Sequence, residues 1–197
     1  MIIDKNIPIY QIVISGNEIS EYYSEKSVYS FNQLGYNNIE RVEATTPDSM
    51  PDFLSFTKYR WYNPRSRRHW LVEEKAIWYS HYACWEKVKE PSIIIEHDCI
   101  LYREIPDHLL KRNLWSFGMT EDRKNLAALG YLIKPSASKK LMSIKSITGP
   151  VDGWIHPNEP WYEKNELSKE YVDKNICAKH YINKDIGTTK PTLGLRK

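Results

Sequence analysis

The chain has 197 residues, of which 41% are hydrophobic and 27% are charged. This length suits one domain with its own hydrophobic core, and the composition excludes a disordered chain, which could not bury enough apolar surface. The 28 Lys and Arg outnumber the 25 Asp and Glu, and the resulting net charge of +3 does not by itself indicate a nucleic-acid-binding protein.

The sequence carries neither a membrane-span pattern nor an export signal. No apolar run approaches the ~18 residues of a membrane-spanning helix, and the first residues lack the basic-then-apolar layout of a secretory signal. The cysteine spacings do not suggest a metal site, so we expect three reduced thiols: Cys84, Cys99 and Cys177. We therefore predict a soluble, cytoplasmic protein without a transmembrane segment.

The N-terminal part predicts a strand, a helix and a second strand. Residues 8–14 are short, apolar and β-branched, which indicates a buried strand. A helix is predicted over residues 19–34, because Gly35 lies where helices commonly end. Residues 39–44 alternate like a second strand, and a βαβ-type opening of this kind predicts a parallel sheet.

Residues 45–70 predict a long loop with at most one short helix. The segment contains three prolines, many aromatic residues and four arginines: Arg60, Arg65, Arg67 and Arg68. Loops of this length in compact domains are often functional, and clustered guanidinium groups can bind phosphate. A solvated, positively charged face is the simpler alternative.

A second helix and a central strand are predicted after the loop. Residues 73–89 have good helix propensity and Pro91 ends the helix, whereas residues 92–96 predict a buried strand because they form a nearly continuous apolar run. We expect residues 99–102 to continue in an extended conformation and residues 106–112 to be rich in helix.

The C-terminal part gives a weaker pattern. Residues 127–133 predict a strand, and Ser136 is the predicted N-cap of a helix over residues 137–144. One more strand is predicted within residues 176–182, and the segment 157–197 is otherwise weakly assigned. The whole chain is therefore predicted to form a single α/β domain with a mostly parallel central sheet.

The polar cluster that ends the central strand is the most informative chemical feature. Glu96 and Asp98 are two residues apart, and in a strand such residues point to the same face, with His97 on the other. Open parallel sheets bind ligands at the carboxyl ends of their strands. Two carboxylates there suit Mg²⁺ or Mn²⁺ bound to a diphosphate, and we expect His97 to be structural rather than a metal ligand.

The helix before the central strand supplies a second polar cluster. Glu74 and His81 are seven residues apart, so they lie within ~20° of each other around the helix, and Ser80 is next to His81. Polar side chains on an apolar stripe need partners. They either form a polar patch that faces a ligand, or His81 is a buried histidine held by a neighbouring carboxylate.

A third candidate is Asp152, in a turn-rich loop after Gly149 and Pro150. A loop carboxylate can reach a substrate hydroxyl and act as a general base. The alternative is an aspartate that only forms the turn.

The predicted helix and central strand contain motifs that occur together in one enzyme family. The helix reads Glu-Lys-Ala-Ile-Trp-Tyr-Ser-His at 74–81 and Trp-Glu-Lys-Val at 85–88, and the strand ends in Ile-Ile-Ile-Glu-His-Asp at 93–98. They resemble the Glu-Ile-Gly-Cys-x-x-Ser-His helix, the following Trp-x-x-Val and the Leu-Glu-Asp-Asp strand end of glycosyltransferase family 25. That family comprises lipopolysaccharide-type glycosyltransferases and their collagen-modifying relatives.

Later motifs continue the resemblance in the same order. Gly-Tyr-Leu-Ile at 130–133, Ser-Lys-Lys-Leu at 138–141 and Pro-Val-Asp at 150–152 resemble the family's Gly-Tyr strand, Ala-x-x-Leu helix and Pro-x-Asp loop. Glu-Ala-Thr-Thr-Pro at 43–47 resembles the family's approach to its first long loop. The resemblance therefore spans roughly residues 8–155.

The resemblance implies a fold, a reaction and a set of site residues. It implies a GT-A-like α/β/α sandwich, and inverting transfer of a sugar from a nucleotide-sugar donor to an acceptor hydroxyl. Glu96 and Asp98 would hold Mn²⁺ or Mg²⁺ against the donor diphosphate, and Asp152 would be the base that takes the acceptor proton. The donor-binding residues would be Glu74, Ser80, His81, Arg65, Arg67 and Arg68.

The acceptor and the activity itself have alternatives. A saccharide such as lipopolysaccharide is the default acceptor. The basic, aromatic stretch 59–70 leaves a hydroxymethylated DNA base as an alternative, because rings and guanidinium groups hold extruded bases. A catalytically inactive, nucleotide-sugar-binding relative is the alternative from another class, because His97 stands where the family has the middle acid of its Glu-Asp-Asp trio.

Overall fold

The computed structural model describes residues 1–50, 60–61, 71–119, 128–144, 146–147, 151, 155 and 177–180. Within these residues the helices are α1 (Glu18–Gln33), α2 (Val72–Lys87), α3 (Pro135–Met142) and a short 3-10 helix (Asp107–Lys111). The strands are β1 (Ile9–Val13), β2 (Ile39–Glu43), β3 (Arg60–Trp61), β4 (Ser92–Glu96), β5 (Cys99–Leu101), β6 (Leu114–Ser116), β7 (Gly118–Met119), β8 (Gly130–Ile133), β9 (Ser146–Ile147) and β10 (Ala178–His180).

The central sheet has five strands in the order β2-β1-β4-β8-β6. Strand β1 runs parallel to both β2 and β4, which confirms the βαβ-type opening, and β4 is the middle strand, as predicted. Strand β8 runs antiparallel to both β4 and β6. The sheet is therefore mixed, because the direction of a strand is set by its connection and not by the residue pattern within it.

Helices cover both faces of this sheet, so the coarse α/β prediction is confirmed. On one face, Phe31 of α1 belongs to a buried cluster with Ile93 and Ile95 of β4. On the other face, Trp85 of α2 belongs to a second buried cluster with Ile94. Alternate residues of the all-apolar part of β4 thus serve two cores, which explains its continuous hydrophobic character.

Helix α1 packs on the sheet through small polar residues that the sequence pattern did not reveal. Ser24 exchanges two hydrogen bonds with the fully buried Gln11 of β1: its hydroxyl donates to Oε1 at 2.8 Å, and its carbonyl accepts from Nε2 at 3.2 Å. Ser27 donates at 2.7 Å to the carbonyl of Cys99, which belongs to β5 of a second sheet. These bonds satisfy buried polar groups at the contact between helix and sheet.

The sequence predicts a helix stop at Gly35 and an N-cap at Ser136, and the structure shows where α1 ends and where α3 begins. Gly35 follows α1 with φ of +84°, and its amide donates to the carbonyl of Asn32, which confirms it as the helix stop. The prediction of Ser136 as an N-cap is wrong. Helix α3 begins at Pro135 with Lys134 as its N-cap, because proline fits the first helical position, where no amide hydrogen is needed.

The peripheral strands lie outside the central sheet. Strand β5, predicted as an extended continuation of β4, pairs with β10 in a second sheet that also contains β7. Strand β10 falls within the predicted 176–182 segment, and the 3-10 helix falls within the predicted 106–112 segment. Most of the predicted loop at 45–70 lies outside the described residues, as does most of the segment 157–197.

Two predictions about composition also have structural outcomes. All three cysteines are buried thiols rather than disulfides, as predicted. None of the helices in the described part of the chain combines the length and apolarity that crossing a membrane requires.

Candidate functional site

The carboxyl ends of β1 and β4 form the natural ligand-binding edge of this sheet. The two strands are parallel neighbours, with Ile12 opposite Glu96. From β1 the chain passes through α1 on one face to β2, and from β2 it returns through α2 on the other face to β4. The strand order therefore reverses between β1 and β4, and α/β proteins bind ligands in the crevice at the carboxyl ends of neighbouring strands at such a point.

Glu96 lies at this edge, as the last residue of β4. It shares the α2-facing side of the strand with Ile94, and 24% of its side chain is exposed. The Nε2 atom of His81 lies 3.4 Å from its Oε1 atom. Glu96 is thus a carboxylate that meets solvent at one end of a buried polar contact.

His81 connects Glu96 to the interior between α2 and the sheet. Its side chain is 1% exposed, and its Nδ1 atom lies 2.9 Å from the hydroxyl oxygen of Tyr131 in β8. The same hydroxyl oxygen accepts a hydrogen bond from Nε1 of Trp85 at 2.9 Å. The sequence alone leaves open whether His81 faces a ligand or is held by a carboxylate. The structure shows a buried histidine beside a carboxylate, and that carboxylate belongs to Glu96.

The other two predicted residues of α2 make hydrogen bonds with the backbone. Ser80 is buried, its hydroxyl accepts a hydrogen bond from the amide of Thr45 at 2.9 Å, and it lies 2.9 Å from the carbonyl of Ala76. It therefore anchors the chain that leaves β2. The carboxylate of Glu74 accepts a hydrogen bond from the amide of Leu71 at 3.0 Å, which caps the first turn of α2.

The alternation expected for Glu96, His97 and Asp98 stops at the end of β4. His97 and Asp98 form a turn, so the same-face rule for strands does not extend to Asp98, which is 5% exposed. His97 is 8% exposed and stacks on Tyr23 of α1, with ring centroids 6.1 Å apart, on the side of the sheet away from His81. This agrees with its predicted orientation opposite Glu96.

The negative charges of Glu96 and Asp98 both affect the thiol of Cys99. The pKa of the Cys99 thiol is raised well above its ordinary value, first by burial and then by the negative charges of Asp98 and Glu96. Among the described residues, no group of three or more His, Cys, Asp or Glu is placed to hold a metal ion. An ion carried by a diphosphate needs only one or two protein carboxylates, and a partly exposed Glu96 fits that requirement.

Four predicted site residues lie outside the described residues: Arg65, Arg67, Arg68 and Asp152. Their assignments stay predictions. Conversely, Trp85 and Tyr131 belong to the polar network, although the sequence motifs gave them no role. The sequence signal that could have identified Tyr131 is a tyrosine within an apolar strand, since a buried phenol usually has a hydrogen-bond partner.

The fold and the site together define an α/β protein with a partly exposed carboxylate at the switch point of a mixed sheet. Neither a comparison with protein-family models nor one with curated proteins finds a match to this chain.

Proposed function

We propose that the protein is a glycosyltransferase that moves a sugar from a nucleotide-sugar donor to an acceptor hydroxyl. One observation carries the proposal. The helix motif, the strand-end motif and the Gly-Tyr motif each contribute one residue to a single network, in which His81 contacts both Glu96 and Tyr131. Motifs that are distant in sequence and meet at a ligand-binding edge support a common role at that edge.

Glu96 and Asp98 are the proposed holders of a divalent ion, Mn²⁺ or Mg²⁺. When bound, such an ion neutralises the charge that develops on a diphosphate leaving group. We propose that the donor lies against the carboxyl ends of β1 and β4. Arg65, Arg67 and Arg68 are the proposed partners of its phosphates.

The proposed reaction inverts the anomeric carbon of the transferred sugar. The acceptor oxygen forms the new bond to that carbon, the bond to the diphosphate oxygen breaks, and a nucleoside diphosphate leaves. The base that takes the acceptor proton must lie on the side of the sugar away from the leaving group, and Asp152 is the proposed base. A saccharide is the proposed acceptor.

A panel of nucleotide sugars with Mn²⁺ tests this proposal. The true donor should raise the thermal midpoint, because it binds only the folded state, and should be consumed when a saccharide acceptor is added. Glu96→Gln should reduce transfer at least ~10²-fold, the scale on which one preorganised charged group acts. Glu40→Gln is the matched control, since Glu40 is an exposed carboxylate of β2 that pairs with Lys87.

The same experiment separates the alternatives. Wild-type transfer rates in folded Glu96→Gln and Asp98→Asn variants would contradict the metal-holding role. Donor binding without turnover for any acceptor would identify an inactive, nucleotide-sugar-binding protein. Binding of hydroxymethylated DNA that weakens steeply as salt rises, together with transfer to that DNA, would identify the nucleic acid as the acceptor.

A further inference from the structure

We infer that Trp85, Tyr131 and His81 form a directional hydrogen-bond chain that orients the Glu96 carboxylate. In this chain His81 carries its proton on Nε2 and gives that hydrogen bond to Oε1 of Glu96. The Oε2 atom is then the oxygen that faces a ligand. This inference deepens the proposed function. The effect of the hydrogen-bond chain on donor binding rests on that function, whereas the existence of the hydrogen-bond chain does not.

Counting protons fixes the direction of the chain. The indole Nε1 of Trp85 can only donate, so the hydroxyl oxygen of Tyr131 must accept from it at 2.9 Å. The Glu96 carboxylate can only accept, so the Nε2 atom of His81, 3.4 Å from Oε1, is the atom that carries the proton directed to it. A ring with its single proton on Nε2 has Nδ1 as an acceptor, and this atom lies 2.9 Å from the Tyr131 hydroxyl, which can donate to it.

The opposite tautomer is disfavoured at the Glu96 end of the imidazole ring. With the proton on Nδ1, the lone pair of Nε2 would face the oxygen atoms of the Glu96 carboxylate, which can only accept. The Glu96 contact therefore selects the tautomer with the proton on Nε2, and that tautomer leaves Nδ1 as an acceptor for the Tyr131 hydroxyl.

Burial makes the chain a fixed support for Glu96. Trp85 and Tyr131 are fully buried and His81 is 1% exposed, so only the Glu96 end meets solvent. Trp85 and His81 are four residues apart and lie on one side of α2, while Tyr131 and Glu96 come from neighbouring strands. The network therefore joins α2 to β4 and β8 and sets the carboxylate from within the core.

The contact between His81 and Glu96 is looser than the rest of the chain. At 3.4 Å it is longer than the ~2.8 Å typical of a charge-assisted hydrogen bond. Contacts of this kind often shorten when a ligand completes the site. His81 is therefore a positioning residue, and a ligand on Oε2 should draw Oε1 towards Nε2.

Nitrogen NMR of the wild-type protein tests the chain directly. With ¹⁵N-labelled histidine, the His81 ring should show a protonated Nε2 and an unprotonated Nδ1. The six histidines of the chain are resolved by the loss of one signal set in His81→Gln. An Nδ1–H tautomer or a doubly protonated His81 ring would overturn the inference, whatever activity is found.

Tyr131→Phe tests the inner bond of the chain. The Nδ1 resonance of His81 should move towards that of a nitrogen without a hydrogen bond. Tyr10→Phe is the matched control, because the Tyr10 hydroxyl donates to the carbonyl of Lys87, at the far end of α2, and its removal should leave the His81 signals unchanged. An unchanged Nδ1 resonance in folded Tyr131→Phe would contradict the inference.

Mn²⁺ titration tests the outer bond of the chain. His81→Leu should weaken Mn²⁺ binding ~10–100-fold, and His81→Gln should restore part of the affinity because its amide can donate to Glu96. Equal affinities in wild type and His81→Leu would refute the positioning role. If wild type binds no Mn²⁺, the metal part of the proposed function fails, while the ring signals still decide whether the chain exists.

Discussion

Gly130→Ala should push strand β8 away from its neighbours and disturb the polar network. A Cβ atom at Gly130 would lie 2.8 Å from Cε2 of Phe117 and 3.0 Å from Sγ of Cys99, whereas ordinary contacts begin at 3.4 Å. The atoms must therefore separate by at least 3.4 − 2.8 = 0.6 Å. Both neighbours are fully buried, so neither can turn into solvent.

The expected destabilisation follows from two opposing effects. Overpacking of a buried site costs ~1–3 kcal/mol, while replacing glycine lowers the entropy of the unfolded chain and returns ~0.4–1 kcal/mol. The midpoints of the two ranges give a net loss in free energy of unfolding of ~1.3 kcal/mol, which lowers the thermal midpoint by ~3–5 °C for a chain of this length. Urea unfolding followed by tryptophan fluorescence measures this change.

A compensating substitution checks that steric overlap is the cause. Phe117→Leu removes the nearest ring atoms, so Gly130→Ala should cost at least ~1 kcal/mol less in that background than in wild type. Because Gly130 precedes Tyr131, the single variant should also weaken Mn²⁺ binding. An identical cost of Gly130→Ala in both backgrounds would refute the overlap, and a stabilised Gly130→Ala would refute the packing described for β8.

Three further expectations concern stability. Ser24→Ala removes the hydroxyl that donates to the buried Gln11, so it should lower the free energy of unfolding, measured with urea, by ~1–3 kcal/mol. A decrease below ~0.5 kcal/mol would contradict the role of this pair. Burial raises the pKa of the Cys177 thiol to about 11. The unfolded chain therefore loses this proton at a lower pH than the folded protein does, so the free energy of unfolding should decline as pH rises from ~9 to ~11. A urea midpoint that stays constant over that window would contradict this expectation. Lys87→Ala breaks only an exposed ion pair with Glu40 and should change stability by less than ~1 kcal/mol, so a larger thermal shift would mean that Lys87 has another role.

Local sequence patterns predicted most of the elements that frame the site. The apolar run before Glu96 gave the central strand, and Gly35 gave the end of α1, because both signals act through neighbouring residues. Ser136 is not the N-cap of α3, because the helix begins one residue earlier, at Pro135. The serine-rich packing face of α1 was missed because an apolar-periodicity criterion does not detect a helix that packs through hydroxyl groups.

The sequence by itself determined the order of strands and helices in the first half of the chain. It also determined that Glu96 and His81 are polar residues in apolar surroundings and therefore need partners. Only the tertiary structure decided that they partner each other, that Tyr131 completes the network and that Asp98 turns away from the strand alternation. The direction of β8 and the register between strands bring together residues 15 and 50 positions apart in the chain, and no local pattern encodes such distances.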